Sequence, residues 1–136
     1  MSGYGTREPI DLTALLRTVT GAGRGGTVVF LGSVRRSDDD GPVAGIDYSA
    51  YEEMLDDEFG RILSEAEGRW RGVGITGQHR LGRVATGEPS IAVVASAPHR
   101  DEAFAACRWV VNQAKQRLPV WKKEHFDDGT TRWREG

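Results

Sequence analysis

The chain has 136 residues, of which 38% are hydrophobic and 28% charged, and its formal net charge is −2. This length and composition suit a single folded domain and argue against disorder. A slightly acidic chain also lacks the basic surface that a dedicated nucleic-acid-binding protein needs. One cysteine excludes an intramolecular disulfide, and no apolar run is long enough to span a bilayer, so we expect a cytoplasmic protein.

The first half of the chain predicts a short helix, two strands and a long helix. Residues 1–9 are polar and contain glycine, so we expect them to be flexible. Asp11 can cap the short helix. The β-branched run 27–34 predicts a buried strand, and alternation predicts a second strand over 44–51. Apolar residues at helical spacing over 52–70 predict the long helix.

The second half predicts two more long strands, a second long helix and a short strand. One strand is expected over 72–84 and the next over 90–97. The helix runs over 98–118, because apolar residues recur there at helical spacing. Pro119 ends it, and an extended piece follows.

The order of these elements predicts an α+β fold, with helices packed on a largely antiparallel sheet. No linker divides the chain, so we expect a single domain over residues 10–126. Residues 1–9 would form a flexible N-terminus and residues 127–136 a C-terminal tail. Residues 37–42 form an acidic, turn-rich loop that we expect to be solvated and flexible.

Positive charges are concentrated around the end of the last predicted helix. Lys115 lies in its final turn, and Lys122 and Lys123 follow the break at Pro119. Such a local cationic cluster on an acidic chain suggests a site for a small anionic ligand. Alternation places Lys122 and Lys123 on opposite sides of the extended piece. Solvated lysines near a helix C-terminus or on an edge strand would give the same pattern.

Other cations lie where predicted strands end. His99 and Arg100 lie between a strand and a helix N-terminus, where free backbone N–H groups favour anions, although helix capping explains them equally. Arg35 closes the first long strand and is either solvated or directed into a pocket. His79 and Arg80 form a similar pair within or after a strand, which we interpret as structural.

Other chemistries fit the sequence less well. Cys107 lies on the apolar face of a helix and is better explained as a core thiol than as a nucleophile. The three histidines, His79, His99 and His125, have no metal-ligand spacing. The glycine-rich run 21–26 precedes a strand, whereas a phosphate-binding loop follows one. We therefore expect no metal and no bound cofactor.

An ordered set of short phrases resembles the large, catalytic subunit of molybdopterin synthase. The resemblance covers roughly residues 10–134 and implies an α/β-hammerhead-like fold. The phrases are VVFLGSVR (28–35), YSAYEEM (48–54), HRLG (79–82), SAPHR (96–100), AFAAC (103–107) and PVWKKE (119–124).

That family forms the dithiolene of molybdopterin from cyclic pyranopterin monophosphate, a step of molybdenum cofactor biosynthesis. The resemblance implies that sulfur arrives on a small ubiquitin-like carrier subunit whose C-terminal Gly-Gly ends in a thiocarboxylate. It also implies a homodimer of large subunits at the core of a heterotetramer.

The resemblance further implies roles for particular residues. Lys115 and Lys122 match the family's active-site lysines and are the predicted catalytic residues. His99 and Arg100 match a pair that lines the substrate pocket, in the family partly completed by the neighbouring subunit. The full predicted substrate-binding set is Ser33, Val34, Arg35, His99, Arg100, Lys115, Lys122, Lys123 and Glu124.

Three alternatives stay open at the level of sequence. A non-catalytic scaffold that docks a ubiquitin-like tail would keep a groove but would need no lysine with a perturbed pKa. An unrelated enzyme for a phosphorylated heterocycle would explain the cations but not the ordered phrases. A weak RNA-binding protein is disfavoured by the acidic charge balance.

Overall fold

The structure is a computed structural model that describes residues 3–36 and 42–135. It confirms the predicted α+β class. Residues 37–41, which make up most of the predicted acidic loop, lie outside the described residues. The elements in chain order are β1 (Gly5–Thr6), α1 (Leu12–Val19), β2 (Gly26–Ser33), β3 (Val43–Ser49), α2 (Glu52–Arg69), β4 (Gly74–Arg80), β5 (Gly82–Ala85), β6 (Pro89–Ala97), α3 (Arg100–Arg117), β7 (Trp121–Phe126) and β8 (Thr131–Glu135).

The strands form two four-stranded sheets, in the orders β1-β4-β6-β2 and β5-β3-β7-β8. All neighbouring pairs are antiparallel except β1 with β4. The largely antiparallel arrangement that the sequence predicts is therefore confirmed, although the sheet is divided in two.

The single strand expected over 72–84 is two strands that belong to different sheets. β4 pairs with β6 in the first sheet, whereas β5 pairs with β3 in the second. The chain crosses between the sheets at Leu81, which is 1% exposed, and at Gly82, whose φ is 87°. A side chain would strain that backbone conformation, so glycine permits the crossing.

Both ends of the described chain are part of the sheets. Gly5 and Thr6, expected to be flexible, form β1 and pair with His79 and Arg80 of β4. The ring of Tyr4 stacks on Phe59 with centroids 5.0 Å apart. The segment expected to be a C-terminal tail contains β8, which pairs with β7 along its length.

The core lies between the long helices and the sheets. The apolar face of α2 is fully buried at Leu55, Phe59 and Ile62, and burial of each such side chain contributes about 1.5–3 kcal/mol. α3 packs along β2 and β6 and buries Cys107 and Val110. This packing fixes the position of the last turn of α3 against the sheets.

Candidate active site

A cavity of about 210 Å³ opens where the two sheets meet the C-terminal end of α3. Its polar side chains each come from a different element, so the whole fold is needed to assemble it. They are Ser33 of β2, Tyr48 of β3, His79 of β4, Ser90 of β6, Lys115 of α3 and Lys122 of β7.

Lys115 lies in the last turn of α3, at the edge of the cavity. The helix ends where the Leu118 N–H donates to the Ala114 carbonyl at 3.0 Å, and Pro119 prevents its continuation. Ala114 is buried beneath this turn, whereas Lys115 is exposed. The Lys115 amine is therefore free to meet a ligand that enters from solvent.

Lys122 is partly buried and lies on β7 between Tyr48 on β3 and Arg134 on β8. Burial lowers the pKa of the Lys122 amine, and the positive charges of Lys115 and Arg134 lower it further, while Glu124 opposes them. A larger fraction of this amine is thus neutral than in an ordinary lysine. Such an amine can take up a proton when an anion binds beside it.

Glu124 is 5% exposed and is directed at arginines of β8. Its Oε1 accepts hydrogen bonds from Arg132 Nε at 3.1 Å and from Arg134 Nη1 at 3.5 Å. These bonds hold β8 against β7, and they lie on the same side of β7 as Lys122. Glu124 therefore positions the lysine strand, and its predicted contact with substrate stays a prediction.

His79 and Tyr48 form one wall of the cavity. His79 is 7% exposed and Tyr48 is 6% exposed, and their rings meet edge to face with centroids 5.0 Å apart. Burial raises the pKa of the Tyr48 hydroxyl, so it stays protonated. The Ser90 hydroxyl donates to the Gly32 carbonyl at 3.2 Å and completes this wall.

Three further residues of the predicted binding set lie outside the cavity in the described chain. Val34 belongs to the core and is 3% exposed. Arg35 follows the end of β2 and is exposed. Lys123 lies on the other side of β7, with its ammonium 5.6 Å from the ring centroid of Trp133. Their contacts with substrate stay predictions.

His99 and Arg100 lie at the opposite end of α3 from Lys115. They line a separate hollow together with Gly25, Pro98 and Asp101. The helical stretch that separates them from Lys115 is about 24 Å long at the rise of about 1.5 Å per residue. Within one chain these two predicted parts of the site do not meet.

Sequence reasoning missed the wall formed by Tyr48, His79 and Ser90. The pair His79–Arg80 was interpreted as structural, yet the imidazole lines the cavity with both lysines. Strand alternation gives the side of the sheet to which a residue points. It does not tell which side carries a cavity, and that depends on the packing of the second sheet.

Cys107 and the potential metal ligands among the described residues do not form a second site. Cys107 is buried, and burial raises the pKa of its thiol to about 11, which suits the predicted core role. Within residues 3–36 and 42–135, no group of three or more potential ligands is placed to hold a metal ion. No helix in the same ranges is long and apolar enough to cross a membrane.

Comparison with known proteins agrees with this architecture. A family model described as MoaE protein matches residues 5–117. The molybdopterin synthase catalytic subunit of Pyrococcus abyssi is 42% identical over 129 residues, which cover 95% of this chain and 86% of that protein. The one from a Nostoc species is 37% identical over 129 residues, covering 94% and 78%.

A solved structure shows the same fold. The crystal structure of molybdopterin synthase from Staphylococcus aureus matches with a TM-score of 0.93 at 27% identity, covering 98% of this chain and 97% of that chain. Fold and cavity together define an α+β domain with a cavity lined by two lysines. The chain belongs to the MoaE family, that of the molybdopterin synthase catalytic subunits.

Proposed function

We propose that this chain is a sulfurtransferase that converts cyclic pyranopterin monophosphate into molybdopterin. The sulfur donor is the C-terminal thiocarboxylate of a small ubiquitin-like carrier subunit, and the reaction takes place in the cytoplasm. The observation that carries the proposal is the convergence of Lys115 and Lys122 in one cavity, where the Lys122 amine has a lowered pKa.

The charges of the two reactants explain why cations line the cavity. The cyclic phosphate and the thiocarboxylate are both anions and must approach each other closely. In a partly dehydrated cavity their repulsion would cost on the order of several kcal/mol. Lys115 and Lys122 offset this repulsion, and Arg134 adds a further positive charge beside Lys122.

A groove beside the cavity supports entry of an extended polypeptide tail. It has a volume of about 480 Å³ and shares Lys115, Leu118 and Val120 with the cavity. Exposed apolar side chains line it, including Tyr51 (79% exposed) and Met54 (55% exposed). A carrier tail lying in this groove would bring its terminal sulfur to Lys115.

The positions of the two lysines suggest different roles. Lys115 lies where groove and cavity join, so it meets the carrier's terminal carbonyl. It either transfers a proton there or attacks the carbonyl once the sulfur has bonded to the pterin: an amide forms, the carbonyl C–S bond breaks, the sulfur stays on the pterin, and water later hydrolyses the amide to free the carrier. Lys122 lies deeper and holds the phosphate or a developing oxyanion. Because an anion favours the charged form of an amine, substrate binding raises the pKa of Lys122 again.

A second copy of the chain supplies His99 and Arg100 to the cavity. These residues lie beside Gly25 and Gly26 at the start of β2, and Ser33 at its end lines the cavity. β2 is an edge strand about 26 Å long. A copy placed antiparallel against β2 by a two-fold axis brings the start of one strand to the end of the other.

Exposed apolar residues on β2 favour such a contact. Val29 and Leu31 are 39% and 41% exposed and lie on the same side of the strand as Ser33. An edge strand with apolar side chains and unpaired backbone groups is a ready surface for a second chain. This arrangement gives two equivalent sites per dimer, each built from both chains.

Reconstitution tests the function. The purified chain, thiocarboxylated carrier and cyclic pyranopterin monophosphate are mixed, and dithiolene-containing product is measured after oxidation to a fluorescent pterin. We expect product in proportion to the carrier consumed, and none with a carrier that ends in an ordinary carboxylate. Carrier binding without product would instead indicate the scaffold alternative, which the lowered pKa of Lys122 disfavours.

A further inference from the structure

His79 presents a hydrogen-bond acceptor to the cavity that the lysine chemistry does not use. Its Nδ1 lies 2.8 Å from the backbone carbonyl oxygen of Arg80. Among the residues that the structure describes, none donates to the other ring nitrogen, Nε2. Because the ring lines the cavity, Nε2 is the polar atom that it offers there.

The bond to Arg80 fixes the tautomer. A carbonyl oxygen only accepts, so Nδ1 carries the proton and donates it. In the neutral ring Nε2 then has a free lone pair and can only accept. The edge-to-face contact with Tyr48 and the pairing of His79 with Gly5 and Ile91 hold the ring in this orientation.

The surroundings keep the ring neutral. Burial lowers the pKa of His79 to about 4, the Arg80 carbonyl opposes this shift, and the positive charge of Lys122 adds to the lowering. A protonated His79 would be a third cation in the cavity and would be repelled by Lys122. The cavity thus combines ammonium groups that attract anions with one uncharged acceptor.

We propose that Nε2 of His79 accepts a hydrogen bond from an N–H group of the heterocyclic substrate and so orients its ring system beside the lysines. The inference rests on the proposed function and adds a specificity element to it. The ionised thiocarboxylate has no proton to donate, whereas a reduced pterin carries several N–H groups. The cations select the phosphate, and His79 selects the heterocycle attached to it.

Two substitutions separate this role from a structural one. His79→Asn retains a donor to the Arg80 carbonyl but has no atom at the position of Nε2. His79→Gln loses that donor but places its amide oxygen near the position of Nε2. We expect His79→Asn to raise the KM for cyclic pyranopterin monophosphate about tenfold, with a smaller change in kcat, and His79→Gln to stay within about threefold of wild type.

The opposite order, or equal impairment of both variants, overturns the inference, since either result would make the Nδ1 bond or the ring itself the important feature. A second measurement on the unaltered protein does not depend on how the variants fold. In protein with ¹⁵N-labelled histidine, adding cyclic pyranopterin monophosphate should shift the Nε2 resonance of His79. Inorganic phosphate should shift it much less, because it contacts only the lysines and reaches the ring only through the charge of Lys122.

These results also separate failure of this inference from failure of the proposed function. If the wild-type chain converts the pterin but the Nε2 resonance does not move, only the role of His79 is wrong. If the chain neither binds nor converts the pterin, the proposed function is wrong, and the assignment of this substrate to His79 is wrong with it.

Discussion

Lys115 and Lys122 share a cavity but differ in their surroundings. Lys115 is exposed at the end of a helix, whereas Lys122 lies partly buried in a strand between Tyr48 and Arg134. The two amines also influence each other, since the charge of Lys115 lowers the pKa of Lys122. A change at either lysine therefore alters the protonation of the site as well as its contacts.

Lys115→Ala should lower turnover by about 10²–10⁴-fold, the usual contribution of a group that transfers a proton in the transition state. It should also raise the pKa of Lys122, because a neighbouring positive charge is removed. Turnover with thiocarboxylated carrier measures the first effect, and amine titration by NMR measures the second. Arg17→Ala, on the exposed face of α1, is a matched control for loss of one surface cation. Near-normal turnover of Lys115→Ala would contradict the catalytic role.

The buried imidazole makes stability depend on pH. His79 has a pKa of about 4 in the folded chain, against 6.5 for an ordinary histidine. Between these values the unfolded chain binds a proton that the folded chain does not, so stability falls as pH is lowered through this range. The loss amounts to roughly 3 kcal/mol at about 1.4 kcal/mol per pKa unit.

Denaturant unfolding of wild type and His79→Gln as a function of pH measures this contribution. The variant has no titrating group at position 79, so the difference between the two stability curves should narrow as pH falls from 6.5 to about 4. Subtracting one stability curve from the other cancels the contribution of the carboxylates, because they titrate in both proteins. Parallel curves would mean that the imidazole is not held neutral by burial.

At the scale of elements, the β7–β8 hairpin depends on a buried carboxylate. Glu124 accepts bonds from two arginines of β8. Arg132 lies opposite Glu124 itself, and Arg134 lies opposite Lys122. Removing the negative charge would weaken the buried acceptor that both arginines share.

Glu124→Gln should therefore destabilise the chain by roughly 1–2 kcal/mol, because hydrogen bonds to a charged acceptor become bonds to a neutral one while both arginines keep about half of their side chains in solvent. The free energy of unfolding from denaturant titration measures it. Glu135→Gln is the matched control, because Glu135 lies exposed at the end of the same hairpin and its change should stay within about 0.5 kcal/mol. Equal effects of the two substitutions would show that the bonds to Glu124 do not stabilise the hairpin.

The sequence predicted those elements whose own residues carry a repeating pattern. The apolar stripe of α2 and the β-branched run of β2 specify helix and strand without reference to the rest of the chain. β1 has only two residues, and its pairing with β4 comes from residues far along the sequence. The break at Gly82 was missed for a related reason. The buried positions change there from odd-numbered residues such as His79 and Leu81 to the even-numbered Val84, and a single residue is too short a run to reveal the new alternation.

The site residues, too, divide into those that a local pattern predicts and those that only the tertiary fold brings together. The cationic cluster at Lys115 and Lys122 was visible because both residues lie near Pro119, close together in sequence. The wall of Tyr48, His79 and Ser90 combines three strands from two sheets. Only the tertiary packing brings those strands together, so no local pattern identifies it.

At the scale of the whole molecule, the separation of His99 and Arg100 from Lys115 along α3 leads to a prediction about mixed dimers. If each site takes Lys115 from one chain and Arg100 from the other, Lys115→Ala and Arg100→Ala should each be impaired alone. In a mixed dimer both substitutions fall in one site, and the other site is intact. Refolding the two variants together should therefore restore about a quarter of wild-type turnover, given random pairing.

Turnover of the co-refolded mixture, compared with that of each variant refolded separately, measures this complementation. A mixture of Lys115→Ala with Lys122→Ala is the control, because both lysines lie in the same chain's cavity and no intact site can form. Recovery in the control, or its absence in the test mixture, would contradict a site shared between chains.

The parallel pairing of β1 with β4 gives the first residues of the chain an importance that their composition hides. The backbone of His79 donates to the Tyr4 carbonyl at 2.8 Å, and Leu81 donates to that of Thr6 at 2.7 Å. These bonds brace, from outside, the strand that carries the imidazole. Deleting residues 1–6, for example to shorten the N-terminus for crystallisation, would remove both bonds. The strand that carries His79 would then be held less firmly, although every residue that lines the cavity would still be present.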